Sequence, residues 1–223
     1  MVWRNTMDFP FIDKQNPLIL ASASPRRIGL LTQVGLPFRP EASHAAEGGP
    51  FGNPQQTACL LAEKKAREVY SRTGGAWILG ADTLVVLDST ASEIPPVQIE
   101  GPGTVLGKPK DEKEAGYMLR LLSGREHRVI TGFCILNPSG KTAHSEAVTT
   151  RVHIKELSDP EIAAYVRTNE PFGKAGGYAI QGIGSFMVKG ISGSYTNVVG
   201  LPLFALIKAL VTVGALEGFP LTA

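Results

Sequence analysis

Residues 18–27 read LILASASPRR, and the pair Arg26-Arg27 sits where a helix should begin. Ser24 offers an N-cap hydroxyl, and Pro25 suits the first helical position, which needs no N–H partner. The arginines therefore fall in the first helical turn. That end of a helix carries about half a unit of positive charge and favours acids by about 0.3–1 kcal/mol each. Two cations there either point into water at small cost or flank an anion, which the free N–H groups already invite. Forked guanidinium donors match phosphate oxygens, so the chemistry in view is phosphate binding.

Three other stretches hold residues that secondary structure alone does not demand. They are Lys64-Lys65, Asp82-Thr83, and Gly107-Lys108-Pro109 followed by Lys174 and Gln181. Asp82 stands between two apolar runs, residues 77–79 and 84–87. A carboxylate there is partly desolvated, which raises its pKa unless a cation is near. It reads as a base or a magnesium ligand beside the cationic cluster, or as a turn aspartate bonding its own backbone. Lys108, between glycine and proline, reads as a phosphate ligand or a solvated loop lysine, and Lys65 as a ligand or an exposed helix residue. Gln181 carries both donor and acceptor atoms. It could read a base edge or be a strand amide satisfied by backbone. Residues 173–200 contain eight glycines, which either let backbone approach a ligand closely or build tight turns.

Those residues need a scaffold, and hydrophobic patterning supplies its outline. Residues 18–20 form a short buried strand. Ile28, Leu31 and Val34 mark the first helix, stopped by Gly35. Residues 39–53 read as loop. Asn53-Pro54 opens a helix to about Tyr70, with Leu60, Leu61, Ala66 and Val69 as its apolar positions. AWILGADTLVVLD reads as two apolar runs interrupted at residues 80–83, and residues 88–106 as a long surface loop. Asp111 with Glu114 starts a third helix. A hairpin turns around residues 137–140. Ser158 with Glu161 opens another helix, and an apolar helix after Pro202 ends near Gly214. Hairpins interrupt the strand–helix alternation, so the expected fold is α/β, a mixed sheet flanked by helices. The expected organisation is an N-terminal extension, 1–16, and one catalytic domain, 17–223, with 88–106 as a loop insertion.

Composition excludes several classes. Net charge is +2, from 22 basic and 20 acidic residues among 223, so no global field invites nucleic acid. No apolar stretch approaches the ~20 residues of a membrane span, and residues 1–16 lack the apolar core of a signal peptide. A cytoplasmic setting is the expectation. Cys59 and Cys134 have no CxxC neighbour, and the four histidines show no HExxH spacing. There is no P-loop and no GxSxG elbow.

Taken together, ASASPRR, GADT, GKP, MLRLLSGREHRVITG and KAGGYAIQGIGSFMVKGISGSYTNVVGLPL resemble, in order, the Maf family of nucleoside triphosphate pyrophosphatases. The resemblance spans about residues 18–202. It implies a fold related to the inosine triphosphate pyrophosphatases, dependence on a divalent metal (magnesium), and hydrolysis of a triphosphate to monophosphate and pyrophosphate. By that similarity Asp82 is the general base, and Ser22, Arg26, Lys65 and Lys108 hold phosphates. Arg27, Thr83 and Gln181 stand where the family sets nucleotide preference. The KAGGYAIQG form is similar to the branch acting on dTTP and UTP, with modified pyrimidine nucleotides as further candidates. The family's acidic pair near residues 44–47 is reduced here to Glu47, which with Asp82 forms the implied metal ligands. Gly173 replaces a usual aspartate. The resemblance also implies a homodimer, for which the residues give no separate interface signal. The rival reading is a non-catalytic nucleotide-binding regulator of cell division, which shares the arginines and glycines but does not need Asp82.

Overall fold

The computed structural model describes residues 9–46, 52–88 and 104–220. Glu47 and most of the expected 88–106 loop lie outside the described residues. Within them the chain forms a seven-stranded mixed sheet, in the order β2-β1-β3-β5-β6-β7, with β4 also paired to β3. The strands are β1 (Leu18–Leu20), β2 (Phe38–Pro40), β3 (Ile78–Leu87), β4 (Thr104–Leu106), β5 (Glu126–Leu136), β6 (Thr142–Ile154) and β7 (Val188–Ser192). β1 runs parallel to β2 and β3, and the remaining pairs are antiparallel. The expected mixed sheet is therefore present.

The helices cover both faces. α1 (Pro25–Gln33) and α6 (Leu203–Thr212) close one side over Leu18, Leu20, Leu79 and Phe133. α3 (Glu112–Leu122) and α4 (Asp159–Val166) enclose a second apolar cluster with Val85, Leu106 and Val129. α5 (Tyr195–Val199) is a single short turn beside β5 and β6. α2 (Pro54–Thr73) lies across the opposite face, over β3 and β5. Each Leu or Ile removed from water in these layers contributes about 1.5–3 kcal/mol.

Local capping signals explain the starts of α2, α3 and α4, but not that of α1. Asn53 Oδ1 caps α2 by accepting from Gln55 and Gln56 N–H at 3.0 and 3.2 Å, and Asp111 Oδ1 caps α3 through Glu114 N–H at 2.8 Å. Glu161 Oε2 accepts from Ser158 N–H and Oγ at 2.8 Å each. Ser24 occupies the N-cap of α1 but makes no side-chain cap bond. Its own N–H instead donates to Ser22 Oγ at 3.2 Å.

Three expectations are corrected. Residues 78–87 form one continuous strand rather than two runs broken by a turn. Gly80 is there because α2 crosses so closely: a Cβ at that position would stand 2.0 Å from the Ala62 carbonyl oxygen. Gly132, on the paired strand, has the same cause, since its Cβ would meet the Ala58 backbone at 2.3 Å. Leu60 is 66% exposed, because the face of α2 that meets the sheet carries the small residues Ala58, Ala62 and Ala66. Close approach of helix to sheet favours small side chains over the broad apolar stripe expected from periodicity. Finally, the end of the expected 88–106 loop is β4, paired through Val85↔Leu106 and Leu87↔Thr104.

Candidate active site

The sheet splits along one edge of β3. β1 pairs with Ile78 and Leu79, and Ala21 N–H reaches the Leu79 carbonyl at 2.8 Å. β4 pairs only from Val85 onward. Between them, residues 80–84 have no strand partner on that edge among the described residues. The loops that follow β1 and β4 diverge around this gap and enclose a cleft of about 330 Å³. Open α/β sheets present ligand sites at such breaks in strand order.

Asp82 and Thr83 occupy the middle of the gap. Consecutive strand side chains face opposite sides of a sheet, so the two neighbours serve different halves of the cleft. Asp82 points toward α2, where Lys65 Nζ lies 2.5 Å from its Oδ1. Both residues are buried, at 8% and 9% exposure. Asp82 pairs in register with Gly132 in mid-strand, so it is not a turn aspartate. Lys64, one residue before Lys65, turns the other way and donates to the Ala46 carbonyl at 3.0 Å. With Glu68 receiving His44 N–H at 3.0 Å, it anchors the segment that brings Ser43 to the cleft wall.

Thr83 faces α1 and α5. Arg27 is buried and distributes its donors over three elements: Nε to Gly200 O at 2.8 Å, Nη1 to Ser22 Oγ at 3.3 Å and Nη2 to Thr83 Oγ1 at 3.0 Å. Thr83 continues to Thr131 Oγ1 at 3.0 Å, and Thr131 donates to the Asn197 carbonyl at 3.0 Å. Asn197 Nδ2 reaches Val129 O and Thr150 Oγ1 at 3.0 and 2.9 Å. A hydrogen-bonded chain thus runs from the first loop, under the cleft, to β6. Arg26, half-buried at the second position of α1, lines the cleft, and burial lowers its guanidinium pKa from the ordinary value. Lys108 enters from the loop after β4.

Of the residues singled out from sequence, Ser22, Arg26, Arg27, Lys65, Asp82, Thr83 and Lys108 line this cleft. Gln181 does not. It is exposed, directly after the lining residue Ile180, and begins the short 3-10 turn Gly182–Met187. Glu47 lies outside the described residues. Sequence reasoning missed Ser43, Tyr178 and the Val198-Val199-Gly200 wall. Tyr178 rests on His127, Oη to Nε2 at 2.7 Å; none of these carries a local sign of its place in a cleft.

The family described as Maf-like protein matches residues 17–213. The chain belongs to the Maf family. Curated relatives agree. It is 46% identical to a dTTP/UTP pyrophosphatase of Syntrophotalea carbinolica over 93% of this chain and 89% of that one. It is 44% identical to a dTTP/UTP pyrophosphatase of Geotalea uraniireducens, over 90% and 96%. A third such relative, from Thermococcus gammatolerans, is 48% identical over 83% and 91%. The crystal structure of a dITP/XTP pyrophosphatase from Mycobacterium abscessus has a TM-score of 0.40 and 16% identity, covering 63% of this chain and 75% of its own.

This Maf chain contains, among the described residues, no group of three or more His, Cys, Asp or Glu side chains able to hold a metal. Asp82 is the one acid among the described lining residues. A magnesium ion is often held by one or two carboxylates and completed by phosphate oxygens and water. The donor set among the described residues fits that mode. No helix among the described residues is long and apolar enough to cross a membrane.

Proposed function

We propose that this chain hydrolyses dTTP and UTP to the monophosphate and pyrophosphate. The observation that carries the reading is convergence: Arg26, Lys65 and Lys108, from three distant segments, meet Asp82 in one cleft. The names of the 44–48% identical relatives supply the substrate.

In this reading Arg26, Lys65 and Lys108 neutralise the triphosphate, and Ser22 bonds a phosphate oxygen. Charge-assisted hydrogen bonds of this type are worth about 1.5–3 kcal/mol each. Lys65 also fixes the Asp82 carboxylate. Asp82 orients a water toward the α-phosphorus and accepts its proton, while the bond from the α-phosphorus to the bridging oxygen breaks and pyrophosphate leaves. Arg27 and Thr83 hold the wall against which the nucleoside packs. Gln181, on the rim beside Ile180, matches the O4/N3–H edge of uracil and thymine with its carbonyl and amide. Asp82 would hold a divalent ion, magnesium, together with the phosphates. When bound, that ion supplies charge neutralisation of the polyphosphate.

The reading is tested by pyrophosphate release from dTTP, UTP, ATP and GTP by the wild type and by Asp82→Asn. The expected result is faster turnover of the two pyrimidine nucleotides, collapse of turnover in the variant, and a nucleotide-induced thermal shift that survives in the variant. A wild type that binds nucleotide without releasing pyrophosphate would instead make the protein a regulator. A purine preference would overturn the base assignment alone.

A further inference from the structure

Residues 173–187, which carry Tyr178, Ile180 and Gln181, have little regular structure. They form two 3-10 turns, Ala175–Gly177 and Gly182–Met187, separated by extended chain. At the near end, Gly176 N–H donates to the Gly107 carbonyl at 2.9 Å, beside Lys108. What holds the far end is a side chain outside the segment. Glu170, past the end of α4, accepts three bonds on its carboxylate: Gly184 N–H at 2.8 Å, Ile183 N–H at 3.0 Å and Tyr165 Oη at 2.9 Å. Its backbone carbonyl also accepts from Lys174 Nζ. Both ends of the segment 174–184 are therefore tied to one residue.

The packing leaves no slack around this anchor. A Cβ on Gly184 would stand 2.5 Å from the Ala179 carbonyl and 2.6 Å from the Tyr165 hydroxyl. A Cβ on Gly182 would meet Glu170 Oε2 at 2.6 Å. Burial works against the Glu170 charge, but the Gly184 and Ile183 N–H groups, the Tyr165 hydroxyl and the Lys174 ammonium outweigh it, and its pKa lies below the ordinary carboxylate value. Ile180 and Gln181 stand between these fixed points, four and three residues before Gly184.

We propose that Glu170 is a positioning residue for base selection, its carboxylate clamping the Ile183 and Gly184 amides so that Ile180 and Gln181 are held at the cleft rim in a set geometry. The proposal rests on the reading that Gln181 meets the base. All three side-chain contacts are donors aimed at carboxylate oxygens, so the group must accept and never donate. Glu170→Gln keeps the size but turns an N–H₂ toward at least one of them, leaving two donors face to face.

The test compares wild type with Glu170→Gln, Tyr165→Phe, Gln181→Ala and the Glu170→Gln/Gln181→Ala double variant. Steady-state kinetics with UTP and GTP is read beside amide hydrogen exchange. Glu170→Gln should raise the KM for UTP about ten-fold, the scale of a misplaced hydrogen bond. Its kcat should change less than about three-fold, so the preference for UTP over GTP falls. Exchange at Ile183 and Gly184 should accelerate while amides of α2 and β3 keep their protection. Tyr165→Phe, which removes one donor and leaves the carboxylate, should move all readouts the same way by less. The double variant should discriminate no worse than Gln181→Ala alone. Unchanged exchange at Ile183 and Gly184, or faster exchange with intact discrimination, or an equal fall of kcat on both nucleotides, would overturn the proposal. A wild type that prefers GTP would refute the pyrimidine assignment instead. The clamp is then judged by the same exchange and by the loss of whatever preference the wild type shows.

Discussion

Lys65 Nζ and Asp82 Oδ1 stand 2.5 Å apart, joining the middle of α2 to the middle of β3 with both side chains nearly covered. A buried pair of this kind costs desolvation on both sides, and removing one partner strands the other. Lys65→Met should therefore destabilise the fold by about 3–5 kcal/mol, and Lys65→Met combined with Asp82→Asn by clearly less. Urea unfolding of the two single variants and the double variant checks this; additive losses would show that the pair is not coupled.

Arg27 can be tested by the most conservative change available. Bonds leave from its Nε, Nη1 and Nη2 toward Gly200, Ser22 and Thr83, and a single ammonium cannot copy that planar fork. Arg27→Lys should lose about 1–3 kcal/mol of stability, the cost of leaving buried acceptors unmade, although the charge is unchanged. Thermal melts at matched pH would reveal it.

The contact between α2 and the sheet makes a steric prediction. Gly132→Ala would place a methyl 2.3 Å from the Ala58 backbone, where only backbone movement can relieve the clash. Overpacking of this kind costs about 1–3 kcal/mol, occasionally more. Since α2 also carries Lys65, turnover should fall together with stability. Gly29→Ala, on an open helix surface with nothing within 4 Å, is the control and should be neutral or mildly stabilising.

His127 gives a pH dependence. It is 1% exposed and bonds Tyr178, and burial pushes its pKa down from 6.5 to about 4. Between those values the unfolded chain binds a proton that the folded protein refuses. Stability is fully present above pH 6.5 and falls as pH drops toward 4, by roughly 3 kcal/mol over the window. His127→Gln should flatten that part of the profile when melting temperature is followed from pH 7.5 to 4.5.

Much of the scaffold was legible because it rests on short-range physics. The caps at Asn53, Asp111 and Ser158, the stop at Gly35 and the 137–140 hairpin all depend on residues within a few positions of one another. The cationic and acidic candidates were visible for a similar reason: a charge placed against its helix or inside an apolar run is conspicuous locally. Gly80 misled because one glycine can mean either a turn or a close crossing, and only α2 decides which. Glu170 gave no sign, because its partners at 183 and 184 are backbone amides, which carry no residue identity.

By itself the sequence determined a mixed α/β chain of the Maf family, with its conspicuous cations and one conspicuous carboxylate. Tertiary structure alone decided that Asp82 and Thr83 serve opposite faces of a split sheet, that Arg27 spends its donors on three separate elements, and that Gln181 is exposed next to the lining residue Ile180 and not part of the cleft wall. The reason is that each of these depends on strand register and on packing between segments tens of residues apart, and such pairings are set by which surfaces fit together, not by any one stretch of chain.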